Sequence, residues 1–156
     1  MANDISFLSK AVEIAAAGIE NGGGPFGAVI VKDGKIISEC FNRVALDNDP
    51  TAHAEILAVR EAAKTVGSFN LDGCTLYTTC EPCPMCLGAI YWSGIRKVVY
   101  ASDRNDAEKA GFSDKMIYQE INLDPADRVI SFIRMKDAGA DDLLRKWENM
   151  DNKIPY

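Results

Sequence analysis

Apolar positions recur at two different spacings along this chain, and the alternation between them marks out its elements. Ile5, Leu8, Val12, Ala15 and Ile19 repeat every three to four residues, which predicts an amphipathic opening helix over residues 5–19. The run Asn21-Gly22-Gly23-Gly24-Pro25 stops it. Two apolar runs of strand length follow, residues 26–31 and 35–40, joined around Asp33-Gly34, a strong hairpin signal. A polar loop at residues 47–51 leads into an Ala-, Glu- and Leu-rich helix from about Ala52 to Lys64. A strand near residues 75–79, a helix near 83–92 and a strand at 97–100 come next. Residues 103–127 are polar and carry no clear period, whereas 129–135 predicts a last strand and 141–150 a last helix. Strands alternating with helices after an initial hairpin predict a three-layer α/β domain with a mixed sheet. No internal repeat, low-complexity tract or linker interrupts it, so residues 1–156 read as one domain.

Composition narrows the class. Hydrophobic residues make up 47% of the 156 and charged residues 26%, as in an ordinary globular core with a solvated surface. A chain of this length buries roughly 70% of its unfolded surface. The start, Met1-Ala2-Asn3-Asp4, has neither a basic region nor an apolar one, so no secretory leader is expected. No apolar run approaches the ~20 residues of a membrane span. Five cysteines, three of them within residues 80–86, suggest reduced thiols and metal ligation in the cytoplasm, not a disulfide framework. With 17 Lys and Arg against 23 Asp and Glu, the net charge is −6 and the basic residues are scattered. That field repels polyanions and is indifferent to a small neutral substrate, so no nucleic-acid partner is expected.

The chemistry gathers in two short segments. His53, the single histidine, stands two residues before Glu55, and Pro82-Cys83-Pro84-Met85-Cys86 follows thirty residues downstream. One imidazole and two thiolates suit zinc and leave a fourth position for water. Thr51 is a candidate N-cap that would put His53 and Glu55 in the first turn of their helix. Cys83 and Cys86, three residues apart, share one face at the opening of the next helix behind Pro82. Two helix N-termini then aim partial positive charge at one point, which favours thiolate over thiol and neutral over charged imidazole. Cys80 would complete a four-ligand structural site, but it ends a strand, and that site leaves Glu55 without a role. An iron–sulfur reading lacks its next cysteine, because Leu87, Gly88, Ala89 and Ile90 follow. The glycines at 22–24 precede no phosphate-binding signature and read as a helix stop.

His-x-Glu followed by Pro-Cys-x-x-Cys is the signature of zinc-dependent nucleobase deaminases. The chain resembles the cytidine deaminase-like superfamily and, within it, the bacterial guanine deaminases. The resemblance rests on Gly24-Pro25-Phe26-Gly27-Ala28-Val29-Ile30, Asn42, residues 49–55, residues 80–92, Ala110-Gly111-Phe112, Asp114 and Tyr156, and it spans nearly the whole chain. It implies a three-layer α/β/α cytidine deaminase-like fold with a five-stranded mixed sheet and one zinc per subunit. It also implies a homodimer in which residues of about 140–156 are exchanged between subunits. The implied reaction is hydrolysis of guanine to xanthine and ammonia, with His53, Cys83 and Cys86 on zinc and Glu55 moving protons. Backbone amides of Ala54 and Cys83 would assist. Phe26 and Trp92 either flank a purine or pack in the core. Asn42 either meets a base edge or caps a loop. Asp114 either accepts from guanine N–H groups or is solvated, and Tyr156 either enters a partner's site or frays. Another deaminase of the superfamily, acting on tRNA adenosine, cytosine or a nucleoside, is the second reading. A non-catalytic zinc module is the third.

Overall fold

The computed structural model describes residues 2–136 and 138–155, in two compact units, residues 1–114 and 115–156. The Tyr156 expectation lies outside the described residues. In the first unit, helix α1 (Ala2–Glu20) precedes a hairpin of β1 (Gly27–Lys32) and β2 (Lys35–Phe41). Its turn is the expected one: Asp33 and Gly34 take φ values of 49° and 73°, both in the left-handed region of a tight hairpin turn. A short helix α2 (Val44–Asp47), helix α3 (Ala54–Val66), β3 (Cys74–Cys80), α4 (Pro84–Trp92), β4 (Lys97–Ser102) and α5 (Arg104–Lys109) follow.

The strands order as β2-β1-β3-β4; β1 pairs antiparallel with β2 and β3, and β3 pairs parallel with β4. The mixed sheet is therefore present, with four strands among the described residues where the family resemblance implied five. The segment expected to form the last strand, residues 129–135, is irregular. A strand needs a neighbour to complete its ladder. Among the described residues no strand pairs with this segment, and Val129, Ile130, Phe132, Ile133 and Met135 are exposed.

Strand β1 is buried on both faces, and its alternation divides the core in two. Ala28 and Ile30 pack with Leu76 and with Ala54, Ala58 and Ala62 of α3. Val29 and Val31 pack with Tyr77 and with Ala11 of α1, which Phe7, Leu8 and Ile14 flank. Helix α1 buries part of the expected stripe, Leu8 and Ala15, and turns the rest of it outward. Ile5, Val12 and Ile19 are exposed, while Ala11, Ala15 and Gly18 lie against the sheet. Steric closeness decides this: a Cβ on Gly27 would stand 2.2 Å from the Ala11 carbonyl oxygen. Only small residues fit at that point of approach, so α1 presents Ala11 and Ala15 there and leaves Ile5, Val12 and Ile19 facing outward.

The second unit contains α6 (Lys115–Glu120), a 3-10 turn (Pro125–Asp127) and α7 (Ala140–Glu148). Ala140, Leu143, Leu144 and Trp147 fall on one stripe of α7, and the three large side chains are exposed.

Candidate metal centre

The loop before α3 sets the histidine. One carboxylate oxygen of Asp49 accepts from both the backbone N–H and the hydroxyl of Thr51, each at 2.7 Å. This side-chain-closed turn consumes the polar groups of Thr51, so Thr51 is not the helix cap that its position suggests. His53 itself is the N-cap residue, with extended backbone (φ −67°, ψ 150°) and no capping bond from its side chain. Arg43 N–H donates to the Ala52 carbonyl at 2.9 Å, fastening the loop to the end of β2. The imidazole is thereby left for another partner.

The second helix repeats the arrangement. Cys83 is the N-cap of α4 (φ −65°, ψ 169°), and Pro84, which has no N–H to satisfy, begins the helix. Cys86, one turn on, is fully buried. Strand β3 runs directly into this segment, so both helices begin beside its carboxyl end, where α/β sheets bind their ligands.

The two starts converge. His53 Nδ1 stands 3.5 Å from the Sγ of Cys83 and 3.5 Å from that of Cys86, and the sulfurs are 3.6 Å apart. Bond lengths of about 2.3 Å to sulfur and 2.0–2.1 Å to nitrogen at tetrahedral angles place such donors about 3.5 to 3.8 Å apart. The donor set therefore fits zinc in both spacing and chemistry. Among the described residues these three form the grouping suited to a metal ion. Cys80 is not part of it; its thiol faces the Asp103 carbonyl at 3.6 Å, and burial pushes its pKa up to about 11. The electrostatics agree. Hydrogen bonding from Cys86 and then His53 holds Cys83 down at about 4, as a thiolate, against the opposing effect of burial. Cys86 is raised as the donor of that pair and by burial. Its contact with the Cys83 thiolate also raises His53. His53, Cys83 and Cys86 would hold a cation there with both sulfurs as thiolates, the shared proton being released to solvent.

Glu55, on the first turn of α3, is buried, and burial raises its pKa, partly offset by its own backbone N–H. Cys83, His53 and Cys86 all act on the charge of this carboxyl, so Glu55 sits beside the donor set. Ala54, wholly buried, supplies one of the first N–H groups of α3, which have no partner within the helix. Asp114 feels the Cys83 charge; burial foremost raises it, and Arg104 opposes. Spacing alone does not single out Arg104, or Glu81, which accepts from the Arg104 N–H at 3.3 Å. The Phe26 ring packs partly into the core and meets Phe112 edge-on, with centroids 4.9 Å apart. Asn42 is buried at the end of β2, its N–H donating to the Phe26 carbonyl at 2.9 Å. Trp92 is not a core residue; it is 71% exposed at the far end of α4, about 13 Å along the axis from Cys83.

Comparison with known proteins agrees with this geometry. The chain is 50% identical over 155 residues to the guanine deaminase of Bacillus subtilis, covering 99% of each chain. The crystal structure of a Bacillus subtilis guanine deaminase superposes with a TM-score of 0.94 at 51% identity, covering 97% of both chains. A tRNA-specific adenosine deaminase of Aquifex aeolicus is 47% identical, but over 96 residues, 62% of this chain and 64% of that one. The family model for the cytidine and deoxycytidylate deaminase zinc-binding region matches residues 1–102, and the chain belongs to that zinc-binding deaminase family.

Proposed function

We propose that this chain is a zinc-dependent guanine deaminase, hydrolysing guanine to xanthine and ammonia. The observation that carries the reading is the convergence of His53, Cys83 and Cys86 to within 3.6 Å of one another beside the buried carboxyl of Glu55. Held by those three residues, zinc supplies a Lewis acid that brings the pKa of water down towards about 7. Glu55 accepts one proton from the attacking water and passes it to the ring nitrogen beside C2. It then takes the second proton from the new C2 hydroxyl and delivers it to the amine, which leaves as ammonia as the C2 carbonyl of xanthine forms. A carboxyl raised by burial suits this shuttle, because it can hold the proton between the two transfers. The Ala54 and Cys83 amides at the helix starts favour negative charge developing on the ring. Asn42, Phe26 and Asp114 form the purine-binding side. Trp92 joins them only through a second subunit, and Tyr156 is assigned to the same pocket.

The catalytic domain comprises the whole of residues 1–156, acting as a homodimer in the cytoplasm. The exposed stripe of Leu143, Leu144 and Trp147 supports exchange of residues 140–156 between subunits, since an apolar helix face of that kind needs a partner. Five free cysteines fit a reducing compartment, and no described helix is long and apolar enough to cross a membrane.

Likeness to tRNA-specific adenosine deaminases favours tRNA adenosine as the second reading. Its 96-residue extent against the 155 residues shared with a guanine deaminase, together with the net charge of −6, weighs for the free base. Ammonia release is to be measured from guanine, adenine, cytosine, cytidine, guanosine and an adenosine-bearing tRNA anticodon arm. Turnover of guanine well above the rest is expected; equal or greater activity on cytosine or the tRNA arm overturns the assignment.

A further inference from the structure

We infer that Gly24 is a positioning residue that holds the Asn42 amide in its substrate-binding orientation; this rests on the assignment of Asn42 to the purine pocket. The Asn42 backbone is clasped on both sides: its N–H donates to the Phe26 carbonyl at 2.9 Å, and its carbonyl accepts from the Gly24 N–H at 3.2 Å. Its side-chain oxygen accepts from the Val44 N–H, also at 3.2 Å. A backbone N–H only donates, so the oxygen is the atom that must face Val44. The amide NH2 is therefore kept as the group available to a ligand, and Asn42 recognises an acceptor on the base edge.

Gly24 leaves room for this arrangement. A Cβ there would stand 2.9 Å from the Asn42 side-chain oxygen and 3.1 Å from its Cγ. A methyl group would press on the very atom that Val44 holds. Gly24 is not among the glycines with positive φ, so its backbone does not demand glycine; the space does. Gly23 differs, because a Cβ on it would strike the Asn42 backbone oxygen at 2.5 Å, a contact that disturbs the chain path itself. At Gly24 the three nearest atoms all belong to the Asn42 side chain, which can rotate away and leave the fold intact.

The test is a double-mutant cycle on the zinc-loaded enzyme with guanine as substrate: Gly24→Ala, Asn42→Ala and both together, each with its thermal midpoint and zinc content. Each single variant is expected to raise KM about tenfold, the scale of one lost hydrogen bond, with kcat changed less and zinc retained. The double variant should be no worse than Asn42→Ala alone, since removing Cγ and the amide leaves only an ordinary 3.4 Å contact with the Asn42 Cβ. Full additivity, or wild-type kinetics for Gly24→Ala, overturns the positioning role while leaving Asn42 in the pocket. An unchanged KM for Asn42→Ala removes Asn42 from the pocket, and the proposal with it. If Gly24→Ala fails to fold, recovery of the fold in the double variant supports the clash, and no recovery overturns it.

Discussion

The Tyr77 hydroxyl donates to an Asp4 carboxylate oxygen at 2.7 Å, tying the first turn of α1 to the middle of β3 across 73 residues. Lys97 at the start of β4 donates to the same oxygen at 2.9 Å. One carboxylate thus joins the opening helix to two neighbouring strands. The Lys97 and Tyr77 bonds hold Asp4 down at about 2, against the opposing effect of burial. Burial and then Asp4 push Tyr77 up to about 12.

Because the Asp4 pKa is lower folded than unfolded, its contribution is fully present above about pH 4 and disappears as pH falls towards 2. Asp4→Asn should therefore be less stable than wild type near neutrality, with the gap narrowing through that acid window. Urea unfolding of both proteins from pH 6 to pH 2 reads the gap directly. A gap that stays constant with pH would show that the carboxylate charge contributes nothing.

Thr78 gives a prediction of opposite sign. Its hydroxyl oxygen is the one buried side-chain polar atom among the described residues with no hydrogen-bond partner, and the residue is fully buried between Ala28 of β1 and Tyr100 of β4. A buried hydroxyl without a partner costs about 1–3 kcal/mol in desolvation. Thr78→Val keeps the branched shape and removes that cost, so a stability gain of about 1 kcal/mol, or about 2–4 °C in Tm, is expected. A lower Tm would mean that the hydroxyl has a partner in solution.

The metal centre is legible in the sequence because its parts are local. Two helix starts, one carrying His53 and Glu55 and the other Cys83 and Cys86, each within four residues, leave little to long-range packing, and the three metal-donor positions read through to geometry. Features that depend on what lies opposite do not read through. The outward turn of Ile5, Val12 and Ile19 follows from the closeness of Gly27 to Ala11, which no periodicity in α1 records. Thr51 has the composition of a cap, yet Asp49 captures it first. The apolar run at 129–135 has strand composition but no strand partner among the described residues, and composition alone does not form a ladder. Helix α5 escapes detection for another reason: its six residues, five of them polar and held by an Asp103 capping box, have no apolar stripe to reveal them.

Truncation tests the assignment of the C-terminal segment. Removing the last few residues through Tyr156 should lower guanine turnover more than it lowers thermal stability, if this end of one chain completes the pocket of its neighbour. If α7 is exchanged as proposed, its apolar stripe should hold the truncated protein as a dimer, since Leu143, Leu144 and Trp147 remain. Sedimentation and steady-state kinetics on the same sample separate the two effects. Unchanged kinetics would take Tyr156 out of the site, and a monomeric wild type would end the exchanged-segment reading.

Glu55→Gln isolates the proton path from the metal. The carboxyl is buried beside Cys86 but is not one of the three converging donors, and glutamine keeps its shape and its hydrogen-bonding reach. Zinc content should therefore stay near one per chain. Glutamine can neither take a proton from water nor return one to the leaving amine, so guanine turnover should fall by at least the 10²–10⁴-fold that general acid–base catalysis typically contributes, about 10²-fold at the least. Loss of zinc together with activity would mean that Glu55 shapes the ligand site and does not carry protons. Wild-type turnover with zinc retained would mean that another group moves them.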